Sequence, residues 1–265
     1  MSLSTEPYKG VQDFYPEDMR IENFIFSTWR RVVEEAGYEE YSASPLELTE
    51  IYTEKSGAEI INEQTFTFTD RGGRSVTLRP EMTPTLARMI AARRKSLRFP
   101  LYWYSIPNLF RYEKPQRGRR REHYQLNVDL IGIADLSADL EIVSVAHKIM
   151  KAFGTRDEDF EVRLNFPTGT KEALENFIEK LKKVGVTNVK ADETLARGQA
   201  YYTGIVFEIF DTNPENGRSI CGGGRYDNLL EIFDVEKVPT VGFGMGDISL
   251  RDFLETHKLG PFANA

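Results

Sequence analysis

The chain has 265 residues, 40% of them hydrophobic and 28% charged, with a formal net charge of −7; this is the balance of a folded globular chain with one large domain or two small ones. No apolar run reaches the roughly 18–20 residues that cross a bilayer, the polar start "MSLSTEPYKG" has no signal-peptide core, and the acidic pI of about 5.3 argues against a general nucleic-acid coat protein. A single cysteine, Cys221, excludes an internal disulfide and suits a reducing cytosol, and the scattered His123, His147 and His257 lack the spacing of a zinc site.

An irregular lead-in ends in "GVQDFYPED". Pro16 with Glu17 and Asp18 marks a helix start, and Ile21, Phe24, Ile25, Trp29, Val32 and Val33 give the stripe of a helix over 19–36, closed by Gly37. "YEEYSASPLEL" reads as a strand running into Pro45. "TFTFT" and "SVTL" alternate around "DRGGR", a hairpin turned at Gly72 and Gly73. "PEMTPTLARMIAARR" is a helix opened by Pro80 and Glu81, with a basic C-terminal end. "LYWYSIPNLFRYE" and "YQLNVDLIGI" are strands joined by a basic loop. "SADLEIVSVAHKIMKAFG" is a helix with Ser137 as its cap and Gly154 as its stop. A strand "FEVRLNF" and an amphipathic helix "KEALENFIEKLKKVG" follow. "YYTGIVFEIFD" and "RSICGGGRYDNLLE" read as a strand pair with a glycine-rich crossing, and "TVGFGMGDISLRDFLE" as a strand entering a helix. The connections are hairpin-like, without regular βαβ alternation. They predict an α+β domain with an antiparallel sheet.

The basic loop sets Arg111, Lys114, Arg117, Arg119, Arg120 and Arg121 within eleven residues. It reads as a solvated hairpin, a polyphosphate clamp, for which arginine's planar fork is suited, or a nucleic-acid patch. "CGGGRYD" lets backbone approach a ligand or another strand closely; no Lys-Ser/Thr pair makes it a P-loop, and "GFGMG" lacks the spacing of a dinucleotide fingerprint. The adjacent tyrosines of "LARGQAYYTGIVFE" point to opposite faces of a strand, either bracing the sheet or sending one ring into a pocket. Glu81 in "LRPEMTP" is a dipole-complementing acid or a partner for a ligand ammonium group. No Ser-His-Asp or Cys-His arrangement supports nucleophilic catalysis.

Taken in order, these segments resemble the catalytic core of the histidyl-tRNA synthetase family of class II aminoacyl-tRNA synthetases. "GYEEYSASPLE" is similar to the end of motif 1, with Pro45 as its proline, and "FRYEKPQRGRRREHYQ" to motif 2. "LARGQAYYTGIVFE" and "GGGRYD" resemble the two histidyl signature peptides. The resemblance implies a class II synthetase fold, a mainly antiparallel sheet flanked by helices, and a homodimer formed through motif 1. It implies a two-step reaction: histidine and ATP, with Mg²⁺, give histidyl-adenylate, and the histidyl group passes to the 3′ end of tRNA. By the same resemblance, Arg111 and Arg197 are catalytic. Glu81, Thr83 and Gln125 hold the α-amino group, and Asp129, Tyr201 and Tyr202 read the imidazole. Arg111, Glu113, Arg119, Arg121 and His123 bind ATP, leaving Lys114, Arg117 and Arg120 for solvent or the tRNA acceptor end. Asp129 lies four residues after Gln125, so a strand puts both on one face.

There are departures from the family pattern. His123 stands where an aromatic ring usually stacks on adenine. "GFGMGDISL" lacks the motif 3 arginine near Ile248 and Ser249, with Arg251 close but out of register. Gln199 and Ala200 replace a common leucine and aspartate. The expected organisation is one catalytic core over 1–265, with a shortened insertion at about 165–196 and no anticodon-binding domain. No metal site of the protein's own and no membrane partner are expected, and the location is cytoplasmic. The alternative is a catalytically silent paralogue, the regulatory subunit of ATP phosphoribosyltransferase, which binds histidine. Retention of Glu81, Arg111, Gln125, Asp129, Arg197 and Tyr202 favours the enzyme.

Overall fold

The first helix, α1 (Pro16–Glu35), starts at its proline with Glu17 and Asp18 in the first turn, and sinks Ile25, Trp29, Val32 and Val33 into the core. The computed structural model describes residues 3–53, 64–116, 118–195 and 202–263. After α1 come β1 (Glu39–Glu40), β2 (Leu46–Leu48), the single turn α2 (Glu50–Thr53), β3 (Phe66–Thr69), β4 (Ser75–Leu78) and α3 (Thr83–Arg93). Then follow β5 (Leu101–Ser105), β6 (Asn108–Phe110), β7 (Glu122–Ile131), α4 (Ser137–Ala152), β8 (Phe160–Asn165), α5 (Lys171–Lys183) and β9 (Val189–Ala191). The chain continues through β10 (Val206–Asp211), β11 (Ser219–Arg225), a 3₁₀ turn (Leu229–Phe233), β12 (Thr240–Gly246), α6 (Asp247–Thr256) and a last 3₁₀ turn (Gly260–Phe262).

Among the described residues the main sheet runs β1-β5-β7-β12-β11-β10-β8-β9, with β6 paired to β7. Its pairs are antiparallel except at the edges, where β1 lies parallel to β5 and β8 to β9. This is the α+β architecture expected. A small sheet, β2-β4-β3, forms from the predicted hairpin and the residues after Pro45.

The sheet's period of two separates core from site. On β7, Leu126, Val128 and Leu130 are buried against α1 and α4, with Ile142, Val145, Ala146 and Ile149 of α4 facing them. On β12, Val241, Phe243 and Met245 face the same way, and on β10 Phe207 and Ile209 do. Each such side chain contributes about 1.5–3 kcal/mol at most by leaving water. The alternate residues of these strands point to the opposite face, where a second layer made of α3 and the 3₁₀ turn at 229–233 is packed around Met82, Leu86, Ile90, Tyr226 and Leu230.

Local chemistry moved several predicted boundaries. The strand expected over 101–113 is interrupted between Ser105 and Asn108, where Pro107 lacks an N–H but its carbonyl still accepts from Gln125 N at 3.1 Å. Helix α3 starts at Thr83, so Glu81 precedes it and is buried. The cap of α4 is not Ser137: the Asp135 carboxylate accepts from Ser137 N at 2.8 Å.

Candidate active site

The site is built on the face of β7 that carries Gln125, Asn127 and Asp129. In register beside them on β12 are Gly246, Gly244 and Gly242, and beside those on β11 are Gly222 (against Gly244) and Gly224 (against Gly242). The glycines clear a floor. A Cβ on Gly242 would run into Asp129 Oδ1 and stand 2.7 Å from the Val128 carbonyl; one on Gly244 would stand 2.8 Å from Gln125 Cδ. Side chains here would fill the space above the strands.

Over this floor is a cavity of about 130 Å³ lined by Glu81, Thr83, Arg111, Gln125, Asn127, Asp129, Tyr202 and Tyr226. Asp129 lies at its buried end and accepts a short hydrogen bond from the Tyr226 hydroxyl. Burial pushes the Asp129 carboxyl up to about 7, and the tyrosine hydroxyl opposes that rise. Tyr202 meets Tyr226 edge to face, at 6.3 Å between ring centroids. Thr203 N donates to the Arg225 carbonyl at 2.7 Å and Asp227 N to Thr203 Oγ1 at 3.2 Å, so two distant peptides hold the tyrosines together. An anionic acceptor beside a tyrosine pair is suited to a small ligand with a buried N–H and an aromatic ring.

This cavity opens at Arg111, Gln125, Gly222 and Gly244 into a second one, of about 320 Å³. The larger cavity is lined by the cations Arg111, Arg119, Arg120 and Arg218, by Glu113, Glu208 and Asp247, and by His123 and Ser249. Arg111 stands at the junction, with its Nε donating to the Pro80 carbonyl at 2.9 Å. Arg119 is paired with Glu113 at 3.1 Å. Burial and the neighbouring Arg111 push His123 down to about 3, so its ring is neutral in ordinary buffers. Asp247, at the start of α6, is raised to about 7 by burial and by Glu22. Such a wall fits a polyanion carrying a flat ring.

The structure therefore brings together Glu81, Thr83, Arg111, Glu113, Arg119, His123, Gln125, Asp129 and Tyr202 around two joined cavities. Arg197 and Tyr201 lie outside the described residues. Arg121 is placed elsewhere, a correction to its expected place at the nucleotide. Its guanidinium stacks 4.0 Å from the Tyr112 ring centre and donates to the Glu113 carbonyl at 3.2 Å and to the Tyr8 hydroxyl at 3.0 Å. It clamps the lead-in over the loop, while Arg120 lines the cavity. Arg251 also turns away, to Asp18 at 3.1 Å and Glu22 at 3.7 Å. Sequence reasoning missed Tyr226, Asn127, Glu208, Arg120 and Arg218. The "GGGRYD" motif pointed to Tyr226 without its role. The arginine in that motif, Arg225, is buried scaffolding: it pairs with Asp139 and donates to the carbonyls of Ile133 and Asp135, each at 3.1 Å.

The sequence profile of the family described as histidyl-tRNA synthetase matches residues 10–168 and 162–247. A histidine–tRNA ligase of Leptospira biflexa is 39% identical over 332 aligned positions, covering 98% of this chain and 76% of its own length. One of Thermoplasma volcanium is 38% identical, covering 92% and 74% respectively. The crystal structure of the apo histidyl-tRNA synthetase of S. aureus superposes with a TM-score of 0.83 at 27% identity, covering 97% of this chain and 72% of that one.

Proposed function

The chain belongs to the histidyl-tRNA synthetase family, and we propose that the two joined cavities are one active site in which it activates histidine with ATP and from which it passes the histidyl group to tRNA. The observation that carries this is the shared boundary at Arg111. A buried acceptor for an imidazole N–H opens, through one arginine, into a basic chamber.

Histidine lies with its imidazole toward Asp129 and the Tyr202–Tyr226 pair, and its α-amino group toward Glu81, Thr83 and Gln125. Rejection of other amino acids follows from the carboxylate: a ligand lacking the N–H leaves the buried Asp129 with only the Tyr226 hydroxyl as donor. ATP occupies the larger cavity, with its base on His123 and its α-phosphate at Arg111. A histidine carboxylate oxygen attacks the α-phosphorus, the bond to the bridging oxygen breaks, and pyrophosphate leaves with that electron pair. Arg111 and Arg197 hold the developing negative charge, and the protein's main contribution is alignment. The 3′-terminal hydroxyl of tRNA then attacks the carbonyl, and AMP leaves. Magnesium would come with the ATP phosphates and would need one or two carboxylates from the protein; Glu113 and Glu208 on the cavity wall would supply them. When bound it offsets charge on the leaving pyrophosphate.

Residues around 165–196 are the reduced counterpart of the family's insertion. The profile's two matched stretches overlap at 162–168, where this region begins, and its described elements are α5 and β9. A homodimer is supported by the exposed Leu46, Leu48 and Phe68, which share one apolar face of the small sheet. Among the described residues no helix is long and apolar enough to cross a membrane, and a cytoplasmic location is part of this proposal. The test is histidine-dependent exchange of pyrophosphate into ATP. Exchange with histidine and not with other amino acids is expected; histidine binding without exchange would sink this reading and favour a regulatory paralogue.

A further inference from the structure

The larger cavity has more cations than the reading above uses, and most are already engaged. Arg111 donates to the Pro80 carbonyl, Arg119 is paired with Glu113, and Arg120 faces the acids Glu22 and Asp247. Arg251, the arginine nearest to Ser249 in sequence, is held by Asp18 and Glu22. Arg218 is different: it lines the cavity, is half-buried, and makes no hydrogen bond or ion pair among the described residues.

Its place follows from register. Cys221 on β11 pairs with Met245 on β12, so Arg218, just before β11, stands beside the junction of β12 with α6, where Ser249 lies in the first turn. That is the end of the site remote from Asp129, which pairs with Gly242 at the other end of β12. The basic loop packs against the Arg218 stem through Gly118, where φ is +73° and a Cβ would come within 3.1 Å of Arg218 Cδ. Beyond Arg218 a further cavity of about 350 Å³ has the acids Glu215 and Asp252 on its wall. Among the described residues Arg218 is the last cation along this wall, since the further cavity adds acids and no other cation, so an anion reaching from Arg111 ends there.

We propose that Arg218 binds the terminal phosphates of ATP, serving from the β10–β11 connection the place left without a cation at Ser249. This rests on the ATP-dependent reading above. The test is calorimetric titration of the whole chain with MgATP, AMP and histidine, for the wild type, Arg218→Ala, Arg218→Lys and the double variant Arg218→Ala/Ser249→Arg. Loss of one charge-assisted contact should weaken MgATP roughly 10–100-fold. AMP, which lacks those phosphates, and histidine, which reports an intact fold, should bind as in the wild type. Arg218→Lys should recover part of the loss, and Ser249→Arg should recover more. MgATP binding unchanged in Arg218→Ala would overturn the proposal, as would equal weakening of AMP. No recovery from Ser249→Arg would overturn the equivalence of the two positions. A wild type without histidine-dependent exchange sinks the parent reading instead, whatever Arg218 does to MgATP.

Discussion

Replacing Asp129 with asparagine should stabilise the chain and abolish its use for histidine. The carboxyl titrates at about 7 instead of its ordinary 3.8, because burial disfavours the charged form more than the Tyr226 hydroxyl offsets. A folded-state value above the unfolded one means that the native protein holds this proton more tightly than the unfolded chain does. The stability from that proton is complete below the unfolded value and is lost as pH rises through about 7. At 1.36 kcal/mol per pH unit, the interval from 3.8 to about 7 sets a ceiling of about 4 kcal/mol on the cost of the ionised carboxylate in alkaline buffer. Asparagine keeps an oxygen to accept from Tyr226 and never ionises.

Urea denaturation of the wild type and Asp129→Asn, with no histidine present, checks this. The variant should be the more stable at about pH 8, and the gap should close toward about pH 4, where both side chains are neutral. Histidine titration of the same variant should show binding weakened by about 100-fold or more, since the one oxygen asparagine keeps is taken by Tyr226 and its amide NH₂ is a donor where the imidazole proton needs an acceptor. A variant less stable than the wild type in alkaline buffer, or a gap that does not change with pH, would refute the assignment of Asp129 as an uncompensated buried acid.

Gly242→Ala puts a methyl group against Asp129 and within 2.8 Å of the Tyr226 hydroxyl; strain of about 1–3 kcal/mol should appear in urea unfolding, together with lost histidine binding. His123→Phe should lower the KM for ATP by roughly 2–10-fold in the exchange assay and leave the KM for histidine alone, since the neutral imidazole stacks with less area than a phenyl ring. Arg225→Ala leaves Asp139 buried without its cation, and urea unfolding should register a loss of about 3–5 kcal/mol.

The division between core and site was legible wherever it depends on period two within one strand. Leu126, Val128 and Leu130 alternate with Gln125, Asn127 and Asp129, so β7 shows both of its faces in the sequence. Glycine-rich β11 also announced a close approach. What it and β12 approach was not legible, because it depends on register between strands far apart in the chain: Gly242 matters for lying opposite Asp129. The role of Tyr226 was hidden for the same reason, since its hydroxyl meets a carboxylate 97 residues away. Arg121 fails more completely. The two residues before it are cations like itself, and its partner Tyr8 is 113 residues away in a lead-in with no periodic signal. Composition marks the loop as basic but cannot sort which arginine faces the ligand and which clamps the loop.

The two ends of the proposed site are built on different principles. At the amino-acid end, Asp129, Gln125 and the glycines are fixed by β7, β11 and β12, central strands whose backbone bonds cannot shift by one residue without turning the core outward. A substitution there alters specificity and fold together. At the end proposed for the nucleotide the wall comes from loops and a helix start: Arg119 and Arg120 from the basic loop, Arg218 from the β10–β11 connection, and the neutral Ser249 from the first turn of α6. A phosphate accepts a guanidinium from several directions, so its cation can be supplied from more than one backbone position. An imidazole N–H buried against a carboxylate cannot be served that way. Substitution should therefore be better tolerated at the end proposed for the nucleotide, while Asp129 and the glycine floor stay tied to the core on the reverse side of the same strands.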